Sequence, residues 1–260
     1  MRLNVPELER ELYLGHLPGP CSYLPDRFSN LLFLDGTEAA NIYEQLLAVG
    51  YRRYGGYVYR PDCSSCSECR VLRVPVRSFR PTRSQRRVQI RGSGIFRAEL
   101  GEPEYTDEKA ELYARYLAHQ HRRSKEETAA EPEEADSSQS ESTYRSFFVE
   151  TLPGLETIEL RLYSGDRLAG VGIIDKMADA LSAVYFYFEP DFSRFSPGTY
   201  SILFQIDLAR GLNLKYYYPG YYIRDCAAMN YKLNYRPAQL RTIGEADWED
   251  MPGGADSGRQ

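Results

Sequence analysis

Residues 156–223 constrain the fold most. "ETIELRLY", the turn residues Ser164, Gly165 and Asp166, and "RLAGVGIID" predict a β-hairpin, and "LSAVYFYFEP" adds a third strand. Ser196 as N-cap and Pro197 at the first helical position then open a helix that turns Ile202, Leu203, Ile206 and Ala209 inward and stops at Gly211. "LKYYYPGYYI" supplies one more strand, whose course Pro219 leaves open because proline donates no ladder hydrogen bond.

Three antiparallel strands, a helix and a further strand resemble the order of an acetyltransferase-like (GNAT) core, by analogy of fold alone. Upstream, Thr37 can cap a helix through Val49 that stops at Gly50. A second helix fits Thr106 to Arg123, and "YVYR", "VLRVPV" and "IFRAEL" read as strands. The expected class is α+β: an N-terminal α+β lobe with a cysteine cluster (1–125), an acidic linker (126–141), a GNAT-like lobe (142–241) and a polar tail (242–260).

Charge is unevenly distributed. The chain carries a formal net charge of -5, yet residues 126–141 hold seven acidic residues and no Lys or Arg. Such a stretch reads as a solvated linker, and the rest of the chain is net positive. From Arg70 to Arg97 there are nine arginines and no Asp or Glu. Thr82 and Gln85 have capping-box spacing, which starts a helix at Arg83. Arg83, Arg87 and Arg91 then share one stripe with Arg86 beside it, a pattern that suits nucleic-acid phosphates and equally a solvated basic face.

Five cysteines in a chain without an apolar span or signal peptide argue for reduced thiols and a cytoplasmic protein with no membrane partner. Cys63, Cys66 and Cys69 are spaced C-x2-C-x2-C, and Cys21 is the remote candidate for a fourth ligand. The spacing favours an iron–sulfur cluster over zinc, for which only three histidines are present. Reduced thiols packed in a tight loop without metal are the alternative. A non-catalytic nucleic-acid regulator organised by a metal would explain this region but not the second lobe.

"CSYLP" at Cys21, "YRPDCSSC" at Tyr59, "RPTRSQRR" at Arg80, "LSAVYFYFEPD" at Leu181, "SPGTYSIL" at Ser196, "GYYI" at Gly220 and "MNYKLNYRP" at Met229 run in order over most of residues 20–240. Together they resemble the arginyl-tRNA/leucyl-tRNA protein transferase family, and its bacterial aspartate/glutamate leucyltransferase branch in particular. The resemblance implies transfer of Leu from Leu-tRNA to the N-terminal α-amine of proteins beginning with Asp or Glu, which marks them for N-end-rule degradation. Arginyl transfer from Arg-tRNA and a CoA-dependent acetyltransferase are the alternatives.

On this reading the arginines of the helix hold tRNA, and the cysteines form an accessory iron–sulfur or zinc site. Transfer needs no cofactor because the ester is already activated. Aminolysis of an ester calls for alignment and a site for the oxyanion. Tyr221, Tyr222 and backbone amides near Gly198 are expected to orient the ester, with Asp175 as proton acceptor. Arg224, Lys232 and Arg236 are the family-matched cations for an acidic first residue.

Overall fold

The computed structural model describes residues 5–128 and 141–253. Helix α1 (Val5–Leu12) leads into two strands that sequence reading passes over, β1 (Tyr13–Pro20) and β2 (Phe28–Asp35). β1 has the proline and glycine content of a loop, and it persists as a strand because it lies at the edge of its sheet.

The helix expected at 37–49 is broken into α2 (Gly36–Ala39), a 3-10 turn and α3 (Tyr43–Ala48). Its cap is Asp35 rather than Thr37. The Asp35 carboxylate, at the end of β2, accepts from the amides of both Thr37 and Glu38. The expected stop at Gly50 is present, with a φ of 110° that favours glycine. Strands β3 (Arg52–Tyr54) and β4 (Tyr57–Pro61) complete an antiparallel sheet in the order β1-β2-β4-β3.

Next come β5 (Arg70–Pro75), α4 (Arg83–Ser93), β6 (Arg97–Gly101) and α5 (Asp107–Thr128). α4 begins on the expected capping box, with both the Thr82 and the Gln85 bonds formed. Most of the expected acidic linker, 129–140, lies outside the described residues. The chain resumes with α6 (Glu141–Tyr144), β7 (Glu156–Ser164), β8 (Arg167–Lys176) and β9 (Ala180–Phe188). It continues through α7 (Pro197–Gly211), β10 (Tyr216–Tyr222), α8 (Ala227–Asn230), β11 (Ala238–Thr242) and β12 (Glu249–Met251). Ser196 does not cap α7 through its side chain. It sits in the left-handed region at φ 56°, and its hydroxyl makes no capping hydrogen bond.

The larger sheet has the order β12-β11-β5-β10-β9-β8-β7-β6. β5 and β6 therefore share a sheet with β7–β12, so residues 126–141 divide the chain without dividing the sheet. The stretch read as a polar tail contributes β12 and Trp248, whose ring lies 3.7 Å from the Arg73 guanidinium, opposite Tyr216 at 3.9 Å. α4 and α7 pack together on the sheet with Val74, Leu160, Leu203 and Ile206 in a shared core, and α5 packs on β8 and β9 through Leu112 and Tyr113. Gly92 lets α4 close on α7, since a Cβ there would stand 2.2 Å from the Tyr200 ring.

One irregularity in the sheet positions the site. β9 and β10 run parallel only where Ala180–Ser182 face Tyr216–Tyr218. Beyond that point β9 bulges at Val184, and β10 bulges between Tyr217 and Gly220, where Pro219 has no N–H to offer. The strands part, and β3 of the smaller sheet packs against β9 beside the notch.

Candidate functional site

The parting strands leave a cavity of about 120 Å³. β9 contributes Ser182, Ala183 and Val184, β10 contributes Pro219, Gly220 and Tyr221, and β3 contributes Arg52 and Arg53. Lys232 enters from the turn after α8.

The two arginines of β3 alternate in direction, as strand geometry requires, and meet different partners. Arg53 Nε pairs with the Asp175 carboxylate at 2.9 Å, both side chains being fully buried. Arg52 Nη1 donates to Ser182 Oγ at 3.1 Å, while its Nη2 is buried without a partner. The Lys232 ammonium lies 3.4 Å from Met229 Sδ. Among the described residues neither Arg52 nor Lys232 is ion-paired with a carboxylate. Burial, and then the nearby charge of Arg52, pull the Lys232 pKa down to about 7.

Of the expected site residues, Lys232 and Tyr221 reach this cavity. The Tyr221 hydroxyl donates to the Gly50 carbonyl at 2.6 Å, and burial raises its pKa. Tyr222 points to the other side of β10 and packs with Leu72, Ala238 and Leu240. Asp175 does not face the cleft as a proton acceptor: it sits on a strand covered on both faces, and its oxygens accept from Arg53, Tyr43 and Thr157. Arg224 is exposed, Arg236 donates to the Leu233 carbonyl at 3.0 Å, and Gly198 lies in the first turn of α7. None of these three lines the cavity. Arg52 escapes sequence reading, and the available signal is a pair of adjacent arginines inside the aromatic stretch "YRRY".

Eight of the nine arginines in the run fall into two groups, and Arg80 donates to the Arg77 and Phe79 carbonyls. Arg70 pairs with Glu249, Arg73 lies between two aromatic rings, Arg77 bonds Asn213, and Arg97 pairs with Glu99. Arg83, Arg86, Arg87 and Arg91 on α4 are exposed, and none pairs with a carboxylate among the described residues. The Arg86 guanidinium donates to the Pro81 carbonyl.

Cys21, Cys63, Cys66 and Cys69 line a second cavity of about 420 Å³, which shares Tyr23, Tyr59 and Tyr221 with the first. All are free thiols. Burial first, then the neighbouring cysteines 21, 63, 66 and 226, push the Cys69 thiol up to about 12. Four thiols around one cavity suit a cluster or zinc in donor type. Among the described residues, however, no three His, Cys, Asp or Glu side chains are gathered as a metal centre requires.

The architecture is an α+β protein with two sheets, in which a cationic notch in the larger sheet stands beside a thiol-lined cavity. Residues 19–87 match the family described as "Arginine-tRNA-protein transferase, N terminus", and residues 108–242 match "Arginine-tRNA-protein transferase, C terminus". The chain belongs to this arginine-tRNA-protein transferase family. It is 37% identical over 241 residues to an aspartate/glutamate leucyltransferase of Pseudomonas savastanoi pv. phaseolicola, covering 91% of this chain and 96% of the relative. The same enzyme of Pseudomonas syringae pv. syringae is 38% identical over 238 residues, with the same coverage. Among solved structures FemX aligns with a TM-score of 0.39 at 11% identity, over 84% of this chain and 82% of that one, a likeness too distant to carry weight. No helix among the described residues is long and apolar enough to cross a membrane.

Proposed function

We propose that this chain is a cytoplasmic aminoacyltransferase that moves Leu from Leu-tRNA to the N-terminal α-amine of proteins beginning with Asp or Glu, marking them for N-end-rule degradation. The observation that carries the reading is the notch where β9 and β10 part, an opening in the sheet lined by strand backbone and by Arg52 and Lys232, neither of which is ion-paired among the described residues. Residues 142–241, with β5 and β6 completing their sheet, then act as the acetyltransferase-like lobe, with the ester carbonyl lying in the notch.

The α-amine attacks that carbonyl, the new amide C–N bond replaces the ester C–O bond, and the proton lost from nitrogen ends on the departing ribose hydroxyl. An α-amine with an ordinary pKa near 8 needs no strong base. Alignment in the notch supplies the rate advantage, with Tyr221 as a wall. The exposed guanidinium groups of Arg83, Arg86, Arg87 and Arg91 hold tRNA phosphates. Cys21, Cys63, Cys66 and Cys69 form an accessory site whose thiolates would close on an iron–sulfur cluster or zinc, and no step of the transfer runs through it.

The test is incubation of Leu-tRNA with an Asp-initiated peptide in the absence of ATP and CoA. Leucylated peptide, read by mass, is the expected product. Acetylation of the peptide from acetyl-CoA, with no leucylation, would move the assignment to the CoA-dependent alternative.

A further inference from the structure

An antiparallel sheet that packs one face on a core ordinarily turns polar residues outward on the other, and the smaller sheet does not. Leu32, Leu34 and Val58 point into the core and are at most 5% exposed. The residues that alternate with them, Leu31, Phe33 and Tyr59, are apolar or aromatic as well and only half-buried. Leu17, 58% exposed, and Tyr54, 47% exposed, extend the same face. The Phe33 and Tyr59 rings lie 5.6 Å apart and 27° from parallel, with Tyr54 edge-on to Tyr59 at 6.3 Å. Strand register sets Phe33, Tyr59 and Arg52 in one cross-strand row, so this aromatic face runs into the notch.

The rings line the larger cavity, whose volume of about 420 Å³ lies within the roughly 300–1,000 Å³ range of small-ligand sites. It is large enough for a nucleoside, whereas the notch at about 120 Å³ is not. Because Tyr23, Tyr59 and Tyr221 are walls of both, one ligand can occupy the two together. Charge narrows the choice of ligand. Among the described lining residues the one acid, Asp62, is bonded to Arg60 and His16, and the cations are Arg60, engaged by Glu9 and Asp62, and the exposed Arg27. That balance suits a single bridging phosphate better than a pyrophosphate. Cys63 and Cys66 come after Pro61, at the end of β4 away from Tyr57, the partner of Tyr54, so the aromatic end is left to the ligand.

We propose that this face receives the terminal adenosine of the unpaired 3′ end of the donor tRNA. The base stacks on Phe33 and Tyr59 with Tyr54 closing its edge, Arg27 meets the phosphate that joins it to the next nucleotide, and the ribose stands by Tyr221 so that its ester enters the notch. The assignment rests on the transferase reading and deepens it: the arginines of α4 give affinity for the tRNA backbone, and the smaller sheet places the reacting end. CoA and ATP also carry adenosine, and the charge balance of the cavity disfavours them as its source.

The test uses an acceptor-stem RNA hairpin ending in unpaired C-C-A, with 2-aminopurine as its terminal base, whose fluorescence stacking quenches. Wild type should quench it at least about twofold and bind it about 5- to 100-fold tighter than a hairpin lacking the terminal nucleotide. Phe33→Leu and Tyr54→Leu should each lose the quenching and most of that advantage, while binding the truncated hairpin as wild type does. Thermal unfolding is measured on the same preparations, and Tyr54→Leu, at an exposed ring, carries the test should Phe33→Leu fold poorly. Unchanged quenching in the variants, or equal loss for both hairpins, overturns the proposal. Displacement of the quenched base by CoA or ATP at lower concentration than by a C-C-A trinucleotide makes the cavity a cofactor nucleotide site, and displacement by leucinamide makes it a pocket for the donor's side chain; either result also overturns it. Because the hairpin carries no amino acid, binding is read apart from transfer. A protein that quenches the base and transfers nothing refutes the enzymatic reading alone, and one that transfers without quenching refutes this inference alone.

Discussion

Replacing Lys232 by methionine should stabilise the fold while removing a charge from the notch. Burial, followed by the charge of Arg52, takes the Lys232 pKa from 10.5 to about 7, with Cys226 opposing. That shift corresponds to roughly 5 kcal/mol of preference for amine over ammonium. Relaxation and entry of water absorb much of such a penalty, which leaves about 2 kcal/mol released by the substitution at pH 6.

The sign follows from proton binding. The native protein loses the Lys232 proton near pH 7, whereas the unfolded chain keeps it to about 10.5. Between those values the unfolded state binds more protons, so wild-type stability from this group rises with pH and is lowest below pH 7. The advantage of Lys232→Met is therefore largest at pH 6 and falls to less than half by pH 9. Thermal unfolding at both pH values reads this directly, with a rise in Tm of about 4–8 °C expected at pH 6. A variant less stable than wild type at pH 6, or equally stabilised at pH 6 and pH 9, would refute the claim that Lys232 is a partly buried cation without a carboxylate partner.

Asp175→Asn should destabilise the fold by about 3–5 kcal/mol by stranding Arg53, as seen in urea unfolding; full stability with activity abolished would instead return Asp175 to a catalytic role. Replacing Arg83, Arg86 and Arg87 together with alanine should weaken Leu-tRNA binding and flatten its dependence on salt, and an unchanged salt slope would make α4 an ordinary solvated face. Protein purified without oxygen should carry iron with sulfide, or zinc, lost when Cys63, Cys66 and Cys69 are changed to serine; metal-free wild type at full activity would remove the accessory site from the account.

Local signals carried much of the fold. The Ser164-Gly165-Asp166 turn marks the β7–β8 hairpin, Pro197 and Gly211 bracket α7, and the Thr82–Gln85 pair marks the start of α4. β1 stayed hidden because its prolines and glycines mimic a loop, and only its place at a sheet edge makes it a strand. Nothing local announces that β5 lies between β10 and β11, since those pairings are chosen by the core rather than by turns.

The site divides in the same way. Lys232 and Tyr221 stand in segments that resemble the family. The roles of Arg52 and Arg53 emerge only when β3 meets β8 and β9, because two adjacent arginines are alike in sequence and opposite in direction on a strand. Pro219, a disruption when read along the chain, accompanies the bulge at which β10 leaves β9.

The central claim is tested most directly by offering labelled Leu-tRNA and Arg-tRNA separately to peptides beginning with Asp, Glu, Lys or Arg. The account predicts Leu on the Asp and Glu peptides alone. Transfer from Arg-tRNA instead would contradict the donor, and Leu on Lys or Arg peptides would contradict the acidic acceptor class.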